Sequence, residues 1–190
     1  MVHGTAMSYA MQQLKNEASL RSMAQPLTDL WNKSISVASI SRLVAKHTKV
    51  SADEAFLTGL LHGIGSLYIM ARAAAQGGPL PNEGSWIDLL AGWQASIGKA
   101  VLESWGFAQE LCEAVGEQAD GERRWKHEAG LTDVLITSLI LVDSLQKPEP
   151  RVVATEGINE FLTVGVTAED CPAILAEAER QIALVREALA

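Results

Sequence analysis

Thiol and imidazole groups are the side chains of this sequence that most readily bind metals or transfer protons, and most of them stand alone. Cys112 and Cys171 are far apart and outside any metal-binding spacing. We expect them to be reduced core thiols, with a disulfide as the alternative. His3, His47 and His127 are isolated and are predicted to lie at the surface. The fourth histidine has a more informative setting.

His62 lies in an apolar stretch that also contains Gly59, Gly63 and Gly65. Apolar residues recur around it at three- and four-residue spacing, which predicts one buried stripe of a helix. A glycine inside a helix costs about 1 kcal/mol relative to alanine. Three glycines together therefore indicate tight packing of small residues at a close helix approach, or a special backbone. Three roles stay open for His62: a packed, hydrogen-bonded side chain, a metal ligand, or a contact to a bound small molecule.

The elements that would position His62 are predicted to be helices throughout. Ser51 and Glu54 form a capping box, in which the Ser51 hydroxyl accepts a hydrogen bond from the Glu54 amide. No segment shows the two-residue alternation of a half-buried strand, so the predicted fold class is all-α. Ser85 with Asp88 predicts a further helix start. The predicted helices span residues 5–23, 26–47, 52–75, 85–106 with a break at 91–92, 108–119, 131–145, 152–164 and 168 to the C-terminus.

Four tryptophans are predicted to anchor the core, because each buries a large area. They are Trp31, Trp86, Trp93 and Trp105. Trp125 lies in a polar stretch and is expected to be exposed. The segment 131–145 is apolar on all sides and is predicted to be the most buried helix.

Composition places this chain among globular proteins of one domain, or one domain with an appendage. It has 190 residues, 48% of them hydrophobic, and a net charge of −8. The longest basic cluster is Arg123-Arg124 with Lys126, which argues against binding nucleic acid. No apolar run approaches the roughly 20 residues that cross a bilayer, and the start shows no secretion signal. A cytoplasmic location is therefore expected.

Two stretches resemble a known family. Leu60-Leu61-His62-Gly63-Ile64-Gly65 is similar to the Leu-Leu-His-Asp-Ile-Gly signature of the HD superfamily of metal-dependent phosphohydrolases. Leu30-Trp31-Asn32-Lys33-Ser34 with Val37-Ala38 resembles the Leu-Trp-x-His-Ser-x-x-Val-Ala stretch of the HDOD family, the HD-related output domain of bacterial signalling proteins. The resemblance implies a multi-helix HD-like bundle whose N-terminal lobe is missing or truncated. The expected division is residues 1–24, a core over 25–146, and C-terminal helices over 151–190.

The resemblance also implies which positions would hold divalent metals in an HD hydrolase. Lys33 replaces the first histidine, Gly63 replaces the aspartate after His62, and Gln94 replaces the next histidine. The late positions are Glu117 and Gln118, in place of a histidine pair, and a retained Asp143. An ammonium has no free electron pair and repels a cation. We therefore predict no metal and no cofactor, and hypothesise that Lys33 forms an ion pair with Asp143, Glu117 or both.

A signalling role follows as the expected function. The resemblance implies a non-enzymatic output domain that contacts other signalling proteins, or an upstream receiver or sensor domain, as in response regulators of two-component systems. Two alternatives stay open: a divergent metal-dependent phosphohydrolase acting on nucleotides, and a binding module that holds a nucleotide or another small ligand. A homodimer through the face of Met7, Met11 and Leu14 is also expected.

Overall fold

The structure is a computed structural model that describes residues 24–75, 83–120, 128–145 and 159–188. Within these ranges the regular elements are helices and no strand occurs, so the all-α prediction is confirmed. The helices are α1 (Ala24–Val44), a 3₁₀ helix (Ala45–His47), α2 (Ala52–Leu61), α3 (Ile64–Ala75), α4 (Glu83–Ser104), α5 (Gln109–Glu117), α6 (Leu131–Leu145), α7 (Asn159–Val164) and α8 (Cys171–Ala188). The predicted helix over 5–23, with its dimer face, lies outside the described residues.

Helix α1 is the element against which α2, α6 and α8 all pack. Its second half is almost entirely buried. A Cβ atom on Gly59 of α2 would lie 2.7 Å from the Cα atom of Ala38, so the two helix backbones nearly touch. The predicted tight packing of small residues is confirmed at this crossing.

The segment predicted as one helix over 52–75 consists of α2 and α3, separated by a turn at His62 and Gly63. Its start is as predicted, since Ser51 Oγ accepts from the Glu54 backbone N–H at 3.4 Å. By length and composition this segment could cross a membrane. However, 67% of its apolar window is buried inside the fold, which is typical of a core helix in a soluble protein.

Helix α4 is continuous where the sequence predicted a late start and a break. It already begins at Glu83, so Ser85 is not its N-cap, and it runs through Ala91 and Gly92 without interruption. Gly92 is exposed and has no atom within 4 Å of where its Cβ would be. Such a glycine lowers helix propensity but removes no hydrogen bond. The predicted stop at Gly106 is confirmed by its positive φ of 75°.

Two clusters of apolar side chains form the core. One joins α1 with α6, α7 and α8, and the other joins α1 with α3, α4 and α5. Trp31 and Leu131 pack against both clusters. The prediction for Trp31 as an anchor therefore holds.

The prediction is wrong for Trp93 and Trp105, whose exposed fractions are 61% and 57%. Helical spacing alone did not show that Trp93 on α4, and Trp105 in the turn after α4, face solvent. The side chains of Trp86 and Trp125 lie outside the described part of the chain.

The late helices follow the expected order. Helix α6 has the predicted bounds and buries residues on several sides. Before α8, the Thr167 N–H and hydroxyl both donate to Asp170 Oδ2, at 2.8 and 2.7 Å. Helix α8 begins only at Cys171, because residues 168–170 form a turn first. Of the helix predicted over 152–164, the described part is α7.

Candidate functional site

The positions that correspond to HD metal ligands lie on four helices (α1, α4, α5 and α6) and in the turns after α2 and α5, at very different depths. His62, Gly63 and Gln118 are buried, Gln94 and Glu117 are half-buried, and Lys33 and Asp143 are exposed. The buried positions lie where the α2–α3 turn meets the end of α5.

His62 follows the last residue of α2 and is hydrogen-bonded to that helix. Its Nδ1 donates to the carbonyl oxygen of Gly59 at 2.7 Å, because a carbonyl can only accept. Burial lowers the pKa of His62 to about 4. The hydrogen bond to Gly59 raises this pKa and the Lys33 charge lowers it, but both effects are smaller than that of burial. The ring is therefore neutral at pH 7. Of the three roles left open for His62, the structure shows the packed, hydrogen-bonded side chain.

Gln118 links the α2–α3 turn to α5. Its Nε2 donates to the His62 carbonyl oxygen at 3.0 Å and to the Val115 carbonyl oxygen at 2.8 Å. Both acceptors belong to helix ends, where carbonyls lack intrahelical partners. The amide thus uses both of its N–H groups on backbone oxygens and joins two elements that are distant in sequence.

Gln94 makes the corresponding link between α3 and α4. Ser66 Oγ donates to Gln94 Oε1 at 2.7 Å. At the same crossing, a Cβ atom on Gly65 would lie 1.9 Å from the Gln94 backbone oxygen. Close packing, as predicted for the glycines, therefore also holds at Gly65.

Lys33 does not form the ion pair that the sequence suggested. The structure records no pair within 4.0 Å between its amine and the carboxylate of Asp143 or of Glu117, all three being described residues. Lys33 and Asp143 are both exposed, so water solvates each charge. The ion pair hypothesised for Lys33 is thus not formed between these described residues. Lys33 instead lines a groove between α1, α6 and α8.

The described residues do not supply a metal-binding set. Within residues 24–75, 83–120, 128–145 and 159–188, no three His, Cys, Asp or Glu side chains are grouped so that they could hold a metal ion. Structural zinc sites use four protein ligands, and catalytic ones use three. His62 also has its Nδ1 committed to Gly59. These residues therefore do not fit the metal that the HD superfamily would imply.

A sequence profile of the HDOD domain matches residues 2–120. This chain belongs to the HDOD family. The match covers more than half of the chain and includes all of the positions above except Asp143. The family assignment made from the two short motifs is thus confirmed.

Two solved structures share the fold of this HDOD domain. One is a proposed metal-dependent phosphohydrolase from Shewanella amazonensis, with 24% identity and a TM-score of 0.63, covering 91% of this chain and 66% of that one. The other is a proposed phosphohydrolase from the same organism, with 22% identity and a TM-score of 0.55, covering 81% and 63%. The chain therefore spans about two thirds of the length of each. No curated protein sequence matches it.

Sequence reasoning missed two partners at this site. One is Ser66, which lies one turn after His62 but bonds to Gln94 on another helix. The other is the His62 backbone carbonyl, which accepts from Gln118. Backbone acceptors carry no residue-type signal, so no pattern in the sequence could have indicated this bond.

Proposed function

We propose that this HDOD domain is a non-enzymatic output or regulatory domain of a cytoplasmic bacterial signalling protein. It acts through contacts with other proteins, such as an upstream receiver or sensor domain, and carries a degenerate metal site. A response regulator of a two-component system is the setting that this role suggests.

One observation carries the proposal: side chains at the ligand positions hold helices together instead. Gln118 bonds to the His62 carbonyl, and Gln94 bonds to Ser66. For a transition-metal ion, a neutral amide is a weaker ligand than the histidine that it would replace. Because these bonds cross between helices, the fold needs no metal to join α3, α4 and α5.

The surface supports a role in protein contacts. Trp93 and Trp105 are exposed at 61% and 57%. Exposed tryptophans are enriched at protein interfaces, where they supply much of the binding energy. An output domain that relays a signal by contact would use residues of this type.

The competing function is that of a divergent phosphohydrolase, as the names of the two solved neighbours suggest. Bound-metal content and phosphodiesterase turnover distinguish a non-enzymatic domain from a phosphohydrolase. We expect the purified full chain to contain substoichiometric divalent metal and to show the same melting temperature with and without EDTA. We also expect no hydrolysis of bis(p-nitrophenyl) phosphate or of a cyclic dinucleotide in Mn²⁺ or Mg²⁺.

A hydrolase of the HD superfamily with a complete ligand set serves as the positive control for these assays. Stoichiometric bound metal, together with phosphodiesterase activity that the substitution His62→Ala abolishes, would overturn the non-enzymatic proposal.

A further inference from the structure

One side of α4 is exposed and uncharged over about three turns. It consists of Trp93, Ser96, Ala100 and Ser104, which are all exposed. Their spacing of three, four and four residues places them on one helix face. Exposed helix faces usually carry charged side chains. Trp105 directly follows α4 and is exposed as well. We call these five residues the α4 surface.

The α4 surface has the composition of an interface centre, where charged residues are depleted and tryptophan is enriched. Its two serine hydroxyls bond to α4 itself. Ser96 Oγ donates to the Trp93 carbonyl oxygen at 3.1 Å, and Ser104 Oγ donates to a carbonyl oxygen of the same helix at 2.7 Å. The small side chains between the two tryptophans leave room for the backbone of a second helix, as Gly59 does where α2 crosses α1.

The part of the chain that carries the α4 surface is strongly acidic. Residues 83–120 contain seven carboxylates and one amine, a net charge of −6, whereas residues 24–75 have a net charge of +2. Glu103 is exposed in the last turn of α4, and that turn contains no basic residue. Glu110 is exposed in the first turn of α5. Because the C-terminal end of a helix dipole is also negative, the end of α4 attracts cations.

Lys99 is the one basic residue of the sequence 83–120, and it neutralises the end of α4 only weakly. Its amine lies 4.0 Å from Glu103 Oε1, and both side chains are about half exposed. Exposed pairs of this kind contribute little. The stem of Lys99 lies over α5, since a Cβ atom on Gly116 would be 2.8 Å from Lys99 Cδ. The negative charge next to Trp105 therefore still favours a cation.

This charge selects among the possible occupants of the α4 surface. In a symmetric dimer the same acidic region of two copies would meet, and like charges repel. Nucleic acids and anionic membranes are disfavoured for the same reason. A helix with an apolar stripe and basic flanks is complementary, because its apolar side chains cover Trp93 and its cations reach Glu103. An ammonium or guanidinium group is also attracted to the exposed indole of Trp105.

We propose that the α4 surface is the docking site for a basic amphipathic helix of a partner protein. The apolar stripe of that helix packs on Trp93 and Ala100, and its lysine or arginine side chains contact Glu103 and the Trp105 indole. This inference rests on the proposed function, a domain that acts through protein contacts. It adds the surface that is used and the chemistry of the partner.

The test is calorimetric titration of the full chain, at about 0.15 M salt, with a synthetic peptide of about 18 residues. Leucine forms one face of this peptide helix and lysine the other. Two control peptides have the same length: one has glutamate in place of lysine, and the other has serine in place of leucine. We expect saturable binding of the leucine–lysine peptide and at least tenfold weaker binding of both controls.

Four variants locate the site. Trp93→Ala should weaken peptide binding at least tenfold, because tryptophans at the centre of an interface supply much of the binding energy. Glu103→Gln should weaken it about threefold, through the loss of one exposed charge. Leu162→Ala and Glu187→Gln remove an exposed leucine of α7 and an exposed carboxylate of α8, and should leave the affinity unchanged. Thermal melting of each variant separates loss of binding from loss of folding.

Several results would overturn the proposal. They are no saturable binding of the leucine–lysine peptide, equal affinity for either control peptide, and binding that Trp93→Ala leaves unchanged. A concentration-dependent dimer that Trp93→Ala dissociates would show that a second copy is the occupant. Binding that appears only after Arg123, Arg124 and Lys126 are replaced by glutamine would show that the chain's own basic segment is the occupant.

None of these results bears on the non-enzymatic function, which bound-metal content and phosphodiesterase turnover test. The docking proposal and the proposed function therefore fail on different measurements.

Discussion

His62 and Gln118, at positions that correspond to HD metal ligands, both have structural roles in this fold. His62 is neutral because burial disfavours the charged imidazolium. Gln118 satisfies two helix-end carbonyls that would otherwise be buried without a donor. Each residue can be tested with a matched variant elsewhere in the chain.

The pKa of His62 makes stability depend on pH. Its folded value of about 4 lies below the ordinary 6.5, so the unfolded chain binds more protons between these values. Stability from this group is complete above pH 6.5 and is lost as the pH falls towards 4. We expect a loss of about 2 kcal/mol between pH 7 and pH 5.

Urea unfolding at several pH values measures this loss, and His62→Gln should remove it. The substitution His47→Gln, at an exposed histidine, is the control, and the loss of stability between pH 7 and pH 5 should persist in it. A wild-type profile that is flat from pH 7 to pH 5 would contradict a neutral, buried His62.

Gln118→Ala should lower the free energy of unfolding by about 2 kcal/mol, because two buried carbonyl oxygens lose their donor. The control is Gln109→Ala, which removes an exposed bond to Glu113 within the same helix. That change should stay within about 0.5 kcal/mol. Equal effects of the two substitutions in urea unfolding would show that the link to His62 contributes nothing.

At the scale of elements, glycines set how closely the helices approach. Gly59 brings α2 onto α1, and Gly65 brings α3 onto α4. Gly92, in contrast, lies in the middle of α4 and faces solvent. The same residue type therefore has opposite consequences at different positions.

Gly65→Ala and Gly92→Ala form a matched pair. At Gly65 the new methyl group would overlap the backbone of Gln94, so α3 and α4 must separate. We expect a loss of about 3 kcal/mol in the free energy of unfolding. At Gly92 the methyl group meets open space, and we expect a gain of about 0.5–1 kcal/mol. Urea unfolding followed by circular dichroism checks both; a tolerated Gly65→Ala would mean that the crossing is looser than described.

At the scale of the whole molecule, α1 joins two core clusters into one unit. Trp31 packs against both of them. Each cluster contains buried side chains of α1, so neither can stay packed without this helix. We therefore expect the two clusters to unfold together.

Trp31→Ala should lower the free energy of unfolding by about 2 kcal/mol, because it removes a half-buried side chain that packs against both clusters. Far-UV circular dichroism and tryptophan fluorescence should still give one coincident transition. Trp93→Ala, at a residue that is 61% exposed, is the control and should change stability by less than about 0.5 kcal/mol. Two separated transitions in wild type would contradict a single cooperative unit.

The local features of this chain were predictable because they depend on neighbours in sequence. The capping box at Ser51, the stop at Gly106 and the bounds of α6 all follow from spacing and turn chemistry. Two short motifs around Lys33 and His62 were enough to assign the HDOD family.

Only the tertiary structure decided which groups meet. It left Lys33 without an ion pair to Asp143 or Glu117, exposed Trp93 and Trp105, and paired Gln118 with a backbone oxygen of His62. The sequence determines which helix face is apolar, through periodicity along one segment. How two helices are rotated and shifted against each other depends on the packing of residues far apart in the chain, and this decides burial, the pKa of His62 and the partners of every polar side chain at the site.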